Sequence, residues 1–278
     1  MIKLVNALVG ILLVFAGAQW LSASAEAGEV LDRIMKKGAM VTATDPEWPP
    51  FSSRNDKGEF DGFDIAVAKE LATRMGVSLD YATPTWEETT AGHWNGKWDI
   101  SVGSMTPTAK RAEKLNFPAC YYFGMESLAV HADNTTINTP ADASGKRIGA
   151  LKASTYEQYL KREPFDIVGM QPLAYRIDDP VVVPYENEED AYEALAKGDG
   201  VELTGVVDSL LTLMAMVKDG RPFRIVGHPL FRTPLCVAIE PGDPEFSQLV
   251  KETVEKMRSD GTLKKLSMKW FEFDLTEP

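Results

Sequence analysis

The chain has 278 residues, 44% of them hydrophobic and 25% charged. That balance excludes a disordered or low-complexity protein and leaves material for one large domain or two small ones. A formal net charge of −12 argues against a nucleic-acid partner, since phosphate binding needs a basic face, and mildly favours cationic ligands.

The first 25 residues read as a targeting segment. Lys3 precedes an apolar run from Leu4 to Leu21, broken only by Asn6, Gly10, Gly17 and Gln19, and Ala23-Ser24-Ala25 then has the small-x-small form of a signal-peptidase site. A retained membrane anchor is the alternative, because the run is nearly long enough to span. Cleavage after Ala25 is the expectation; no cysteine lies there to carry a lipid, and losing Lys3 takes the charge from −12 to −13. Cys120 and Cys236 remain in the exported part, where a disulfide and two free thiols are both open readings. Their spacing excludes a cysteine zinc site, and His93, His131 and His228 are too scattered for a ligand cluster, so neither metal nor cofactor is expected.

In chain order, Val30–Lys37 has helical spacing and stops at Gly38, and a strand over Ala39–Thr44 runs into Asp45-Pro46-Glu47-Trp48-Pro49-Pro50-Phe51. Three prolines make that stretch a stiff, irregular loop. Asp64 reads as the N-cap of a helix through Met75, closed by Gly76. Next come a strand near Leu79–Tyr81, a helix near Glu87–Trp94, a strand over Trp98–Gly103 and a helical stretch over Thr108–Lys114 opened by Pro107. A strand at Leu128–His131 leads into a polar linker, and a second cycle follows: strand Arg147–Leu151, helix Tyr156–Lys161, strand Val181–Pro184, helix Glu188–Ala196, strand Gly205–Val207 and helix Ser209–Val217. Strands at Arg224–Val226 and Leu235–Ile239, helix Glu245–Ser259 and a short amphipathic helix to Trp270 complete it. Strands alternating with helices in two cycles predict two α/β lobes with mostly parallel sheets.

Ligands of open α/β sheets sit beyond the carboxyl ends of the strands, which singles out the loops at Asp45–Phe51, Gly103–Arg111, Ala153–Thr155 and Asp208. Thr106 stands at a strand-to-helix junction with Arg111 about one turn on, a set that suits a carboxylate ligand. A surface ion pair of Arg111 with Glu113 or Glu70 is the plainer alternative. Ser154-Thr155 offers a helix N-terminus that is an N-cap first and an anion site second. Asp208 is either the cap of the following helix or a carboxylate for a ligand ammonium. Trp48 and Trp86, on stiff loops, offer flat walls to a ligand, whereas Trp94, Trp98 and Trp270 read as core.

These stretches resemble the extracytoplasmic solute-binding proteins of ABC transporters, polar amino-acid type (family 3). Thr44-Asp45-Pro46-Glu47-Trp48-Pro49-Pro50-Phe51 carries the resemblance, with Gly58-Glu59-Phe60-Asp61-Gly62-Phe63-Asp64, the run Gly103 to Arg111, and Met257 to Trp270-Phe271. It implies a two-lobed periplasmic-binding-protein-like fold (type II): lobe one over residues 26–122 and 236–278, lobe two over 123–235, and two crossover strands as the hinge. It further implies that Arg111 binds an α-carboxylate, helped by the backbone at Thr106 and Thr155. Asp208 and the carbonyl of Ser104 take the α-ammonium. Trp48 and Trp86 sandwich the side chain, whose polar end meets Asp45. Cys120 and Cys236 come together beside the hinge, bonded or free. The partners implied are an amino acid and a membrane permease, and the protein would act as a periplasmic monomer. Gly103-Ser104 departs from the serine pair of histidine- and lysine-binding relatives. Extra residues around Gln171–Asp179 and Gly198–Glu202 leave the wall of lobe two open.

Two other classes compete. An exported dehydratase (cyclohexadienyl dehydratase-like) would need a general acid, for which Glu157, Glu88 and Glu47 are the candidates. A ligand sensor is disfavoured because no membrane helix follows before Pro278. Arg111 with Asp208 matches a zwitterion, so capture of a polar amino acid without catalysis is the expected function.

Overall fold

The structure, a computed structural model, describes residues 28–163, 166, 167, 170 and 172–277. The expected leader and Gln171 lie outside them. The amphipathic period of the N-terminal segment gives α1 (Glu29–Lys37), which Gly38 ends in the left-handed conformation before β1 (Ala39–Ala43). The proline-rich stretch is a ribbon, not an irregular loop: β2 (Glu47–Trp48) pairs antiparallel with β3 (Ser52–Arg54), and β3 with β4 (Phe60–Asp61). Prolines 49 and 50 occupy the turn between β2 and β3, where no ladder hydrogen bond is needed.

Helix α2 (Phe63–Met75) starts after Gly62, so Asp64 is not its cap. Gly62 has φ 132°, and a Cβ there would come within 2.2 Å of the Phe51 carbonyl oxygen, so glycine is required where ribbon and helix meet. Then follow β5 (Ser78–Ala82), α3 (Trp86–Ala91) with a Thr85/Glu88 capping box, β6 (Ile100–Met105) and the single turn α4 (Ala109–Ala112). Strand β7 (Cys120–His131) begins eight residues before the expected Leu128. The second cycle holds β8 (Arg147–Leu151), α5 (Thr155–Leu160), β9 (Val181–Tyr185), α6 (Glu188–Ala196), β10 (Gly205–Ser209) and α7 (Leu210–Lys218). The two strands expected near the C-terminus are parts of one, β11 (Phe223–Ala238), whose register shifts between Val226 and Phe231 around Gly227 and Pro229. Helices α8 (Pro244–Ser259) and α9 (Thr262–Phe271) finish the fold.

One eight-stranded sheet runs in the order β5-β1-β6-β11-β7-β10-β8-β9. Its flanks are parallel triplets, β5-β1-β6 and β10-β8-β9, and its centre is the antiparallel pair β7–β11. Each flank has its own apolar core. Phe63, Leu71, Val250 and Met257 pack around β1 and β6, while Leu128, Ile148, Leu195 and Leu213 pack around β8 and β10. The fold is therefore a two-lobed type II binding-protein architecture, with β7 and β11 running through both lobes. Cys120 and Cys236 face each other in the β7–β11 register and form a disulfide. Trp94 and Trp98 are core residues, as their surroundings in sequence suggested.

Candidate functional site

The carboxyl ends of β1, β6 and β8 converge on one cavity, the place where open α/β sheets hold their ligands. Of the eight sequence candidates, Asp45, Trp48, Trp86, Ser104, Thr106, Arg111 and Thr155 line it. Asp208 does not; it stands in β10 behind the lining side chains Trp48 and Tyr156, both of which reach it.

Arg111 is held by local geometry. The Thr108 hydroxyl caps the one-turn α4 by accepting from the Arg111 backbone N–H at 3.3 Å, which turns the side chain into the cleft. There Nη1 donates to the Thr106 carbonyl and Nη2 to the Ala153 carbonyl, each at 3.0 Å. The guanidinium also lies 5.3 Å from the Trp86 ring centroid. Its Nε is buried without a partner. Burial lowers the Arg111 pKa to about 10, still well above neutrality, so the side chain remains a cation. Among the described residues no carboxylate is salt-bridged to it, and Glu70, one of the two surface partners considered, is bound to Arg74 instead.

Ser104, at φ 52°, is fixed from below. Its hydroxyl donates to Asp64 Oδ2 at 2.7 Å and accepts from Tyr122 at 2.7 Å, while its N–H donates to the Tyr121 oxygen at 2.8 Å. The Tyr121 hydroxyl in turn donates to Asp64 Oδ1 at 2.8 Å. Burial raises Asp64 to about 7, with the Ser104 and Tyr121 hydrogen bonds working against the rise. Asp64 is thus the base of a network that sets the strained Ser104 backbone. At the opposite loop the cap of α5 is Ser154, accepting from Glu157 N–H at 3.1 Å, and Thr155 is the first helical residue.

Asp208 is likewise not a helix cap, since Ser209 holds that position before α7. It accepts from the Ser209 N–H and from the Tyr192 hydroxyl. Burial raises its pKa, and the hydrogen bonds from Tyr192 and Ser209 limit the rise. Asp45 is raised too, by burial first, although the Glu47 N–H bond to it works the other way.

Two lining carboxylates escape the sequence reading. Glu126 sits on β7 among residues that otherwise look like strand core, and Glu188 opens α6 beside Glu189 and Asp190, where acids read as complements to a helix dipole. A charge inside the apolar run Leu128-Ala129-Val130 and its approach was the available signal for Glu126. Burial, then the Asp208 charge, pushes Glu126 up to about 8. Burial, then the charges of Asp208 and Asp45, pushes Glu188 well above the ordinary range.

The acids considered for a dehydratase lie elsewhere. Glu47 is exposed, Glu88 is tied into the Thr85 capping box, and Glu157 pairs with Lys161 at 2.6 Å and accepts from Ala153 N–H at 2.7 Å. None of the described extra residues lines the cavity. Ile177 is buried in the core of its lobe, and Asp199 and Glu202 bond Asn134 and Lys197 at the far end of α6. Among the described residues no three His, Cys, Asp or Glu side chains stand at metal-ligand spacing, and no helix is long and apolar enough to cross a membrane.

A two-lobed fold with a cavity at the strand ends and one fixed guanidinium facing it has the form of a ligand-binding protein. Residues 40–273 match the model of the bacterial extracellular solute-binding proteins, family 3, and the chain belongs to that family. It is 27% identical over 251 residues to the L-cystine-binding protein TcyJ of Escherichia coli (strain K12), covering 89% of this chain and 88% of that one. It is 28% identical over 239 residues to the histidine-binding periplasmic protein of Salmonella typhimurium (strain LT2), covering 84% and 87%. A solved ancestral amino acid-binding protein, described as a precursor of cyclohexadienyl dehydratase, superimposes with TM-score 0.75 at 28% identity over 87% of this chain and 99% of that one. The family is one of solute-binding proteins, not enzymes, whose members work outside the cytoplasm.

Proposed function

We propose that this protein captures a polar amino acid, or a close derivative, by closure of its two lobes and delivers it to the permease of an ABC importer. One observation carries the reading: Arg111, the one basic side chain among the described lining residues, is buried with Nε unpartnered, and every other charged lining group is a carboxylate. A zwitterion fits that arrangement, its carboxylate on Arg111 and its ammonium toward the acids. In this reading the backbone at Thr106 and Thr155 supports the carboxylate. Asp208 and the Ser104 carbonyl supply the counter-charge of the ammonium, and Trp48, Trp86 and Asp45 receive the side chain. The lobes comprise residues 26–122 with 236–278, and 123–235. The protein acts as a periplasmic monomer after cleavage near Ala25. The ligand holds the closed state only as far as it binds that state better than the open one.

The transport role is tested in the native cell. Deleting the gene should abolish high-affinity uptake of one amino acid, restored by the wild-type gene and not by one carrying Arg111→Ala. Unchanged uptake of every amino acid would contradict delivery.

A further inference from the structure

We propose that Glu126 and Glu188 form a second cation subsite in the cavity, so that the ligand is an amino acid whose side chain carries its own positive charge. The inference rests on the amino-acid reading above and goes on to name the ligand class.

An α-amino acid with a neutral side chain brings one negative and one positive charge. Arg111 answers the first, and one carboxylate, Asp208, suffices for the second. Besides Asp208, which stands behind the lining, three carboxylates line the cavity itself, Asp45, Glu126 and Glu188, and none of them has an ion-pair partner among the lining residues, where Arg111 is the one base. Glu126 is the telling one. It is 3% exposed, its carboxylate is approached by the Thr233 hydroxyl at a long 3.4 Å from Oε1 and by the Tyr156 hydroxyl, and its Oε2 is buried with no hydrogen-bond partner. An unsatisfied buried carboxylate oxygen carries its whole desolvation cost, which a ligand donor would relieve. Glu188 is 7% exposed. A helix-dipole role does not explain its burial, because Glu189 and Asp190 already place acids in the first turn of α6. Burial first and then the Asp208 charge raise Glu126 to about 8, with the Thr233 and Tyr156 hydroxyls working against the rise.

The geometry also selects the kind of cation. Among the described residues no three carboxylates reach metal-ligand spacing, so the group is an organic ammonium or guanidinium. Trp48 and Trp86 add π-faces to the same cavity. The subsite further links recognition to closure. Asp45 follows β1 in one lobe and Glu188 opens α6 in the other, and the Asp45 charge acts on Glu188 across the cavity. A cation between them turns a cross-cleft repulsion into an attraction.

Isothermal titration of arginine and its neutral isostere citrulline, with lysine and glutamine as a second pair, tests this on wild type, Glu126→Gln and Glu188→Gln. Wild type should prefer the charged member of each pair by at least about a hundredfold, equal to about 2.8 kcal/mol. Each Gln variant should lower that preference by at least about tenfold while keeping its affinity for citrulline or glutamine. Citrulline and glutamine binding wild type as tightly as arginine and lysine would overturn the proposal alone. So would Gln variants that weaken charged and neutral ligands equally, with circular dichroism showing them folded. Failure of all four, with the rest of the amino acids also silent, would overturn the amino-acid reading itself.

Discussion

The Arg111 guanidinium, on the turn after β6, donates across the cleft to the carbonyl oxygen of Ala153, in the loop after β8, at 3.0 Å. The cation proposed to bind the ligand is therefore also a strut between the lobes. Arg111→Ala should abolish amino-acid binding with the fold intact, at a cost of about 2–5 kcal/mol, because a ligand carboxylate would be buried unpaired. Arg111→Lys should recover only part of it, since an ammonium lacks the planar two-pronged donor geometry. Titration calorimetry with a circular-dichroism control reads both, and full affinity in the alanine variant would remove Arg111 from the site.

Asp208 separates ammonium recognition from simple packing. Asp208→Asn should weaken α-amino acids far more than the matching α-hydroxy acids, which lack the positive charge. Equal losses would mean that its bonds to Tyr192 and Ser209 serve only to join β10 to α6 and α7.

The buried Asp64 gives the ligand-free protein an unusual pH dependence. Its pKa rises from an unfolded 3.8 to about 7, so the folded state holds a proton that the unfolded chain releases. The stability this contributes is present at acid pH and declines as pH climbs from about 4 to about 7. Thermal midpoints measured over that window should fall with pH in wild type and fall less steeply in Asp64→Asn. Parallel curves for the two proteins would show that Asp64 is not the group responsible.

At the mouth of the cleft, Lys152 pairs with Glu87 of α3 at 2.8 Å and with Glu186 at 3.0 Å, so one exposed ammonium bridges the two lobes. Pairs like this contribute little to overall stability and are screened by salt. Their place across the moving cleft makes the ligand off-rate the sensitive observable. Lys152→Met should speed dissociation a few-fold at low ionic strength, with the difference fading in high salt. Identical off-rates under both conditions would show that the bridge does not resist opening.

What the sequence disclosed follows from how far each signal reaches along the chain. Helix α6 and strand β8 match their expected limits because period, caps and turns are local. Six of the seven candidates that line the cavity, all but Trp86, lie in the loops that the α/β alternation singles out after strands. Long-range pairing was not legible. Gly227, Pro229 and Pro234 made β11 look like two strands, and only its partner β7 carries it through them. Asp64 looked like a cap, and its burial beneath Ser104 depends on Tyr121, 57 positions away. Glu126 and Glu188 each had an ordinary local explanation, on a strand and at a helix start, which their shared cavity overrides.

Capture of an amino acid in this cavity is tested most directly by a thermal-shift series of the unliganded protein with each of the twenty amino acids, their amines and cystine. A true ligand at a hundred times its dissociation constant adds about 2.7 kcal/mol of stability, a clear upward shift of the midpoint. The expected result is a strong shift by one or a few polar amino acids, which disappears in Arg111→Ala. No shift by any of them, or leucine as the strongest, would contradict the account.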